Sequence, residues 1–422
     1  AQVAADNDVY LEKHDSDVNK HAKITVTGAL SQTFAAKITL HSTDYTAGRI
    51  VVQGSEASGE TPYQLTEADI HKFDVTPNTV TPSEVYKWTT QLKGNALELA
   101  RLINGADGEA WKQLREAVAS AGANETIVIQ GMVKATNAPG NSSEIEITRN
   151  ITIKGISGTA ANDGLDANSN DTSPIPADRP SPPHRIFKVS GSDTTLTLKN
   201  LTLKNGRATG SGQNSQGGGI LVLGGTLVMS GCTVTGCKAE KQGGGIYLNG
   251  GTCTFSGSMS GNTAQDGGGI AVHSAKLIIE PGCTIGGDEA SKGNKTLASG
   301  KGGGIYVGKK AVCTIKEGVT IQHNTAKVQN SLLNGGGGIY VGDPDSTEEA
   351  NMGTLIVKGT ADKPVNIKDC IINDTFGAGG GIYSKGKVTL THVHISGCKA
   401  LMSGGLGGGI YVRHGQCTLI DS

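Results

Sequence analysis

The chain reads as a mainly β protein: a right-handed parallel β-helix with an N-terminal helical cap and a small N-terminal β domain. Three observations predict this. The run GGGIY, first complete at Gly243-Gly244-Gly245-Ile246-Tyr247, returns to the end of the chain. The isoleucines after each glycine triplet, Ile220, Ile246, Ile270, Ile305, Ile339, Ile382 and Ile410, are 26, 24, 35, 34, 43 and 28 residues apart. A motif recurring at variable intervals of a few tens of residues marks a repeat architecture that exports its insertions to loops. The 63 glycines lack a collagen period and fall between Val/Ile/Thr-rich segments, so they read as turns needing positive φ or close backbone approach. Aromatic residues are only 4% of the chain, so the core must be aliphatic.

In chain order, residues 1–21 are polar and without periodicity and read as a tail or linker. Residues 22–76 hold the alternating segments Ile24–Leu30, Ala36–Leu40, Arg49–Gln53 and His71–Val75, spaced as a small antiparallel β domain. Residues 77–94, with Pro77 and Pro82, read as a linker. Over 95–122, Leu97, Leu99, Leu102 and Ile103, then Ala110, Trp111, Leu114, Ala117 and Val118, recur at helical spacing and predict an amphipathic cap, split near Gly105 and Gly108. Such a helix would shield the first layer of an open strand stack, with Trp111 as its lid.

The β-helix is assigned to 123–422. Thr126–Val133, Glu144–Thr148, Asn150–Lys154, Arg185–Ser190 and Thr194–Lys204 carry β patterning. They are interrupted by a proline-rich loop over Ile156–His184. From Gly217 each repeat reads as glycine triplet, three short strands and a variable loop. In the first strand Ile246 and Leu248 share a face and leave Tyr247 opposite. The second strand places Leu227, Cys253, Leu277, Cys313, Leu355, Val388 and Cys417 at one position, and the third places Cys232, Ser258, Cys283, Val319, Val365 and Val393 at another. Cys237, Cys370 and Cys398 align with Asn262 and Asn324 at a turn, where asparagine amides would bond along the stack. The eight cysteines thus fall at three recurrent positions and read as buried thiols, with a Cys232–Cys237 disulfide as the lesser alternative.

The passage Leu165-Asp166-Ala167-Asn168, Arg185-Ile186-Phe187, Leu196–Leu203 and Asn205-Gly206 resembles the opening coils of pectin-lyase-like β-helix proteins on bacterial surfaces. The repeated GGGIY, preceded by Asn-Thr-Ala at Asn262 and Asn324, resembles passenger repeats of polymorphic outer-membrane proteins and related adhesins. The likeness covers about residues 95–422, with GGGI here in place of the GGAI of those repeats and without their FxxN. It implies display outside the cell or at an outer membrane, and adhesion to a host glycan or protein, or service as a structural stalk beside another surface protein. It transfers no catalytic residue.

A net charge of -1, from 37 basic and 38 acidic residues without blocks of either, gives no footprint for nucleic acid. No run of about 18 apolar residues predicts a membrane-spanning helix. No cofactor or metal set is legible: no Cys/His group has zinc spacing, and acidic residues cluster in insertions such as Asp288-Glu289 instead of on a strand face. The outward column Tyr247, Tyr306, Tyr340, Tyr383 and Tyr411 is the candidate ligand surface; its plainer reading is mutual stacking. Asp166 and Arg185, flanking the proline loop, are the candidate site for the alternative function, a polysaccharide lyase or glycoside hydrolase; a salt bridge is their plainer reading. Gln416–Ile420 aligns with the second strand of a coil and the chain then stops, so further coils, or end-to-end cover by another copy, are expected beyond Ser422.

Overall fold

Valine, isoleucine and threonine alternating over three to five residues, each run stopped by glycine or asparagine, produce many short strands that gain stability by stacking on the next coil. The computed structural model describes residues 8–13, 20–55, 62–77, 87–169, 175–327, 335–343, 348, 351–373, 377–401 and 405–422. These form a parallel β-solenoid. The GGGIY strands build a nine-stranded ladder beginning at Ile145–Ile147 and Phe187–Ser190 and ending at Ile410–Val412. The second and third strands of every coil belong to one 21-stranded sheet that also takes in N-terminal strands. A continuous aliphatic core runs along the axis from Ile103 to Val393.

The register bears out the second-strand column: Leu227, Cys253, Leu277, Cys313, Leu355, Val388 and Cys417 pair in succession. The third column needs one correction. Ser258 pairs with Thr233, and Gly257 stands opposite Cys232, because the ladder shifts register between Met229 and Cys232. Between the first coil and the last, the coils also have a fourth, two- or three-residue strand, such as Lys238–Ala239 and Thr263–Ala264, in a seven-stranded ladder. These pieces are too short to show period 2 and were hidden in the variable loops of the sequence alignment.

Ahead of the coils the chain forms β1 (Asp8–Leu11), β2 (Ile24–Val26), β3 (Ala36–Leu40), β4 (Ile50–Gly54), α1 (Glu67–Ile70) and β5 (Phe73–Val75). Then come β6 (Lys87–Lys93), β7 (Ala96–Asn104), α2 (Ala110–Ser120), β8 (Glu125–Gln130) and β9 (Met132–Lys134). Four expectations are corrected here. Residues 8–11, assigned to a tail, are a strand paired with β3. Pairing within 22–76 is parallel, β2 with β4 and β3 with β5; the antiparallel pairs are β4–β7 and β6–β7, made with a segment outside the expected domain. Residues 87–93, assigned to a linker, are β6. Residues 96–104, assigned to a helix, are β7, and only 110–120 are helical.

The helical misreading has a physical cause. A strand buried on both faces loses its period-2 signature. Leu97, Glu98, Leu99 and Ala100 are all buried. Leu97 and Leu99 enter the N-terminal core, whereas Ile103 belongs to the solenoid core. Strand β7 therefore links the two cores, pairing in parallel with β8 at its far end.

Helix α2 lays Trp111, Leu114, Ala117 and Val118 against the solenoid core. Trp111 is fully buried, its Nε1 donates to the Ser143 carbonyl (2.8 Å), and its ring lies 5.4 Å from that of His184. His184 Nδ1 meets the Arg185 carbonyl at 2.7 Å, whereas Nε2 is buried with no hydrogen-bond partner. Burial, then the neighbouring Arg115 and Arg185, holds its pKa below the usual imidazole value, against the hydrogen bond to Arg185. A group with a depressed folded-state pKa contributes stability that is complete above the unfolded value near 6.5 and is lost as pH falls through the folded value. The melting temperature is expected to decline on acidification below about pH 6.5, and His184→Gln should flatten that slope. Identical pH profiles for the two proteins would contradict this reading.

Candidate functional site

The tyrosine column is largely buried and not an open outward face. Odd and even positions of the GGGIY strand face opposite ways, and the tyrosines face away from the solenoid interior, where they form a second small core with Leu221, Ala271 and Ala378. Tyr306 stacks on Tyr340 (centroids 5.3 Å, 8° between planes), Tyr340 on Tyr383 (5.0 Å, 6°), and Tyr383 leans on Tyr411 (5.4 Å, 31°). Tyr247, Tyr306, Tyr340 and Tyr383 are 0–4% exposed, and Tyr411 is half-buried. From Tyr306 to Tyr411 neighbouring rings take up the faces that a sugar would need, and Tyr247 lies between Leu221 and Ala271.

Asp166 and Arg185 do not form one site. The Arg185 guanidinium reaches Glu144 Oε2 (2.7 Å) and the carbonyls of Gly217, Gln213 and Asn214 (3.2, 2.9 and 3.1 Å). Asp166 accepts from the Asn168 backbone N–H (2.8 Å) and Asn205 Nδ2 (2.9 Å), and its other oxygen lies 3.4 Å from the Lys204 ammonium. The sequence reading anticipated a salt bridge; the partners are Glu144 and Lys204 instead of each other. Residues 170–174 of the proline-rich loop lie outside the described residues.

The turn column is a polar seam within the stack. Asn294, missed in the sequence because an insertion precedes it, joins Asn262 and Asn324. Asn262 Nδ2 donates to Asn294 Oδ1, and Asn294 Nδ2 donates to Asn324 Oδ1, both at 3.0 Å. The cysteines at the two ends of this seam, like the other five, are free thiols. Burial pushes Cys232 up to about 11 and Cys237 and Cys313 up to about 12, which suppresses the reactive thiolate. With the folded protein, a thiol reagent is expected to reach only Cys398 and Cys417, the two half-buried cysteines, until denaturant is added. Mass spectrometry of the labelled chain checks this, and rapid native labelling of Cys253 or Cys313 would refute it. Among the described residues no group of three or more His, Cys, Asp or Glu is placed to hold a metal ion.

A polar groove lies at the N-terminal end, with a volume of about 750 Å³. Strands β10 (Ile145–Ile147), β11 (Ile151–Gly155), β12 (Gly164–Asp166), β13 (Phe187–Ser190) and β14 (Thr195–Lys199) open the coils. Alternation sends Ile127, Ile129, Ile151, Ile153, Leu196 and Leu198 into the solenoid core. Thr126, Thr152, Lys154 and Lys199 therefore stand on the outer side and form one wall of the groove, and α1 with β6 supplies the other through Glu67, His71, Gln91 and Lys93. Val128, on the same outer side, is only 1% exposed, which shows how closely the N-terminal strands lie over it.

Glu98 lies in the groove on the face of β7 opposite Leu97 and Leu99. It accepts from Gln91 Nε2 (2.9 Å) and pairs with Lys93 (3.2 Å). The Lys154 ammonium makes no hydrogen bond or ion pair with the described residues. Burial lowers its pKa, and adjacent Lys199 lowers it further, opposed by the fields of Glu67 and Glu98. The groove thus offers hydroxyls, amides, the His71 imidazole and charges of both signs, and no Phe, Tyr or Trp ring among the described residues. Sequence reading passed over it because Gln91, Lys93 and Glu98 come from segments read as linker and helix, and Glu67 and His71 from the small β domain, so nothing placed them beside the strands of the first coils. The one legible signal was a lysine at the same alternating position in ITIK (151–154) and LTLK (196–199).

Comparison of the chain with protein-family models, curated proteins and solved structures returns no match.

Proposed function

We propose that this chain is a surface-displayed or secreted interaction protein, a bacterial adhesin or stalk, whose ligand seats in the N-terminal groove. The single observation that carries the reading is that groove: a polar cleft between α1/β6 and the outer side of β8, β11 and β14. The long solenoid behind it, with its side chains committed to stacking, fits a spacer that holds the groove away from an anchor. Parallel crossovers favour the right-handed course of the pectin-lyase-like helices that the sequence resembles. In this reading α2 is the cap of the first coil. No described helix is long and apolar enough to cross a membrane. A lyase or hydrolase acting through Asp166 and Arg185 has less support, since each is engaged by other residues.

An array of glycans and extracellular-matrix proteins, probed with the chain and with a Thr152→Trp variant that fills the groove, tests the proposal. Binding that is lost in the variant at unchanged melting temperature is expected. An empty array, or equal binding by both proteins, would overturn it.

A further inference from the structure

Lys154 and Lys199 are direct neighbours across the β11–β14 ladder, on the outer side of the sheet. Like charges directly opposite on adjacent strands repel, and the repulsion grows as water is removed from them. Here both line the groove, Lys154 half-buried and Lys199 exposed beside it, and neither ammonium has a hydrogen bond or ion pair with the described residues. The carboxylate deepest in the groove, Glu98, is already taken by Gln91 and Lys93. Setting aside that neutral pair, Lys154 and Lys199 against Glu67 leave the groove with an excess of one positive charge. Around the lysines stand Thr126, Thr152, Ser157, Asn124 and Asn200, hydroxyl and amide groups suited to a hydroxyl-rich ligand. Among the described lining residues there is no Phe, Tyr or Trp, and so none of the broad stacking platforms on which neutral sugars usually depend.

We infer that the groove binds an oxyanion-bearing sugar, a phosphate or sulfate ester whose charged group sits between Lys154 and Lys199. The inference rests on the groove being the ligand site. An anion there relieves the lysine repulsion and supplies the partner that the desolvated Lys154 lacks. Glu67, across the groove, weakens binding by opposing the same charge and screens out ligands that carry anions along their whole length.

Calorimetric titration of the full chain with glucose 6-phosphate, glucose 6-sulfate and glucose tests this. Both esters should bind, with glucose at least about tenfold weaker, since a charge-assisted hydrogen bond is worth that factor or more. Lys154→Ala and Lys199→Ala should each weaken the esters about tenfold, Glu67→Gln should strengthen them, and raising the salt should weaken them. These lysines point off the sheet, so the variants are expected to fold, and their melting temperatures verify it. Glucose binding as tightly as the esters, or esters indifferent to both lysine substitutions, overturns the inference. Thr152→Trp separates the two levels. If array ligands are lost in that variant yet neither ester binds, the groove remains the site and only the anion assignment falls; if array binding survives Thr152→Trp, the groove itself is wrong.

Discussion

Gly244→Ala is expected to cost more than about 3 kcal/mol and to lower the urea midpoint sharply, in the range reached only by backbone clashes and large core defects. Gly244 is the middle residue of a glycine triplet. A Cβ there would stand within 2.6 Å of the Thr263 backbone nitrogen and closer still to the Gly268 carbonyl oxygen of the next coil. Both are backbone atoms: Thr263 N–H donates to the Cys237 carbonyl (2.9 Å), and around the clash Gly244 N–H donates to Gly267 (3.1 Å) and Gly245 N–H to Gly269 (2.9 Å). No rotamer change relieves such a clash, so the coils must separate locally. Because each coil contacts only its neighbours, the damage is expected to divide the array and broaden or split the transition seen by circular dichroism. Gly108→Ala serves as the control, since a Cβ at that position meets nothing within 4 Å. A Gly244→Ala chain that loses less than about 1 kcal/mol would contradict the close-packing account of the triplet.

Trp111→Ala is expected to cost about 3–5 kcal/mol, the usual result of truncating a fully buried large aromatic. It removes the hydrogen bond to the Ser143 carbonyl, the packing on His184 and the largest of the buried side chains. The lost volume lies where α2 meets Ile145 and Ile147 at the start of the solenoid core. Apolar dye binding and light scattering should rise together as the first coil is uncovered. Trp111→Phe should recover part of the loss, because it restores the ring but not the donor. A wild-type urea midpoint for Trp111→Ala would show that α2 is dispensable to the stack.

These two substitutions lie at opposite levels of legibility. The glycine triplet announces itself seven times, and its requirement for close backbone approach can be read from composition and spacing alone. Trp111 is legible only as part of an amphipathic helix. Its partners, Ser143 and His184, are 32 and 73 residues further on and become neighbours through the coils between.

The repeat period, the inward columns and the cysteines as aliphatic substitutes were determined by the sequence itself. A solenoid coil contacts the coil next in sequence, so one-dimensional alignment reproduces three-dimensional register. The Leu227-to-Cys417 column shows this, and the one-residue slip at Ser258 marks where a glycine bulge breaks it. Tertiary structure alone decided the rest. Alternation says that the tyrosines face away from the interior, but whether that side meets water or other rings depends on what covers it, and here it is buried. Strand β7, covered on both faces, lost the alternation that would have identified it. The groove was the least legible feature, because only Lys154 and Lys199 share a repeat position, and Glu67 and Glu98 belong to two further elements outside the repeats. Only the parallel pairing of β7 with β8 brings the N-terminal strands over the outer side of the first coils and makes those charges one site.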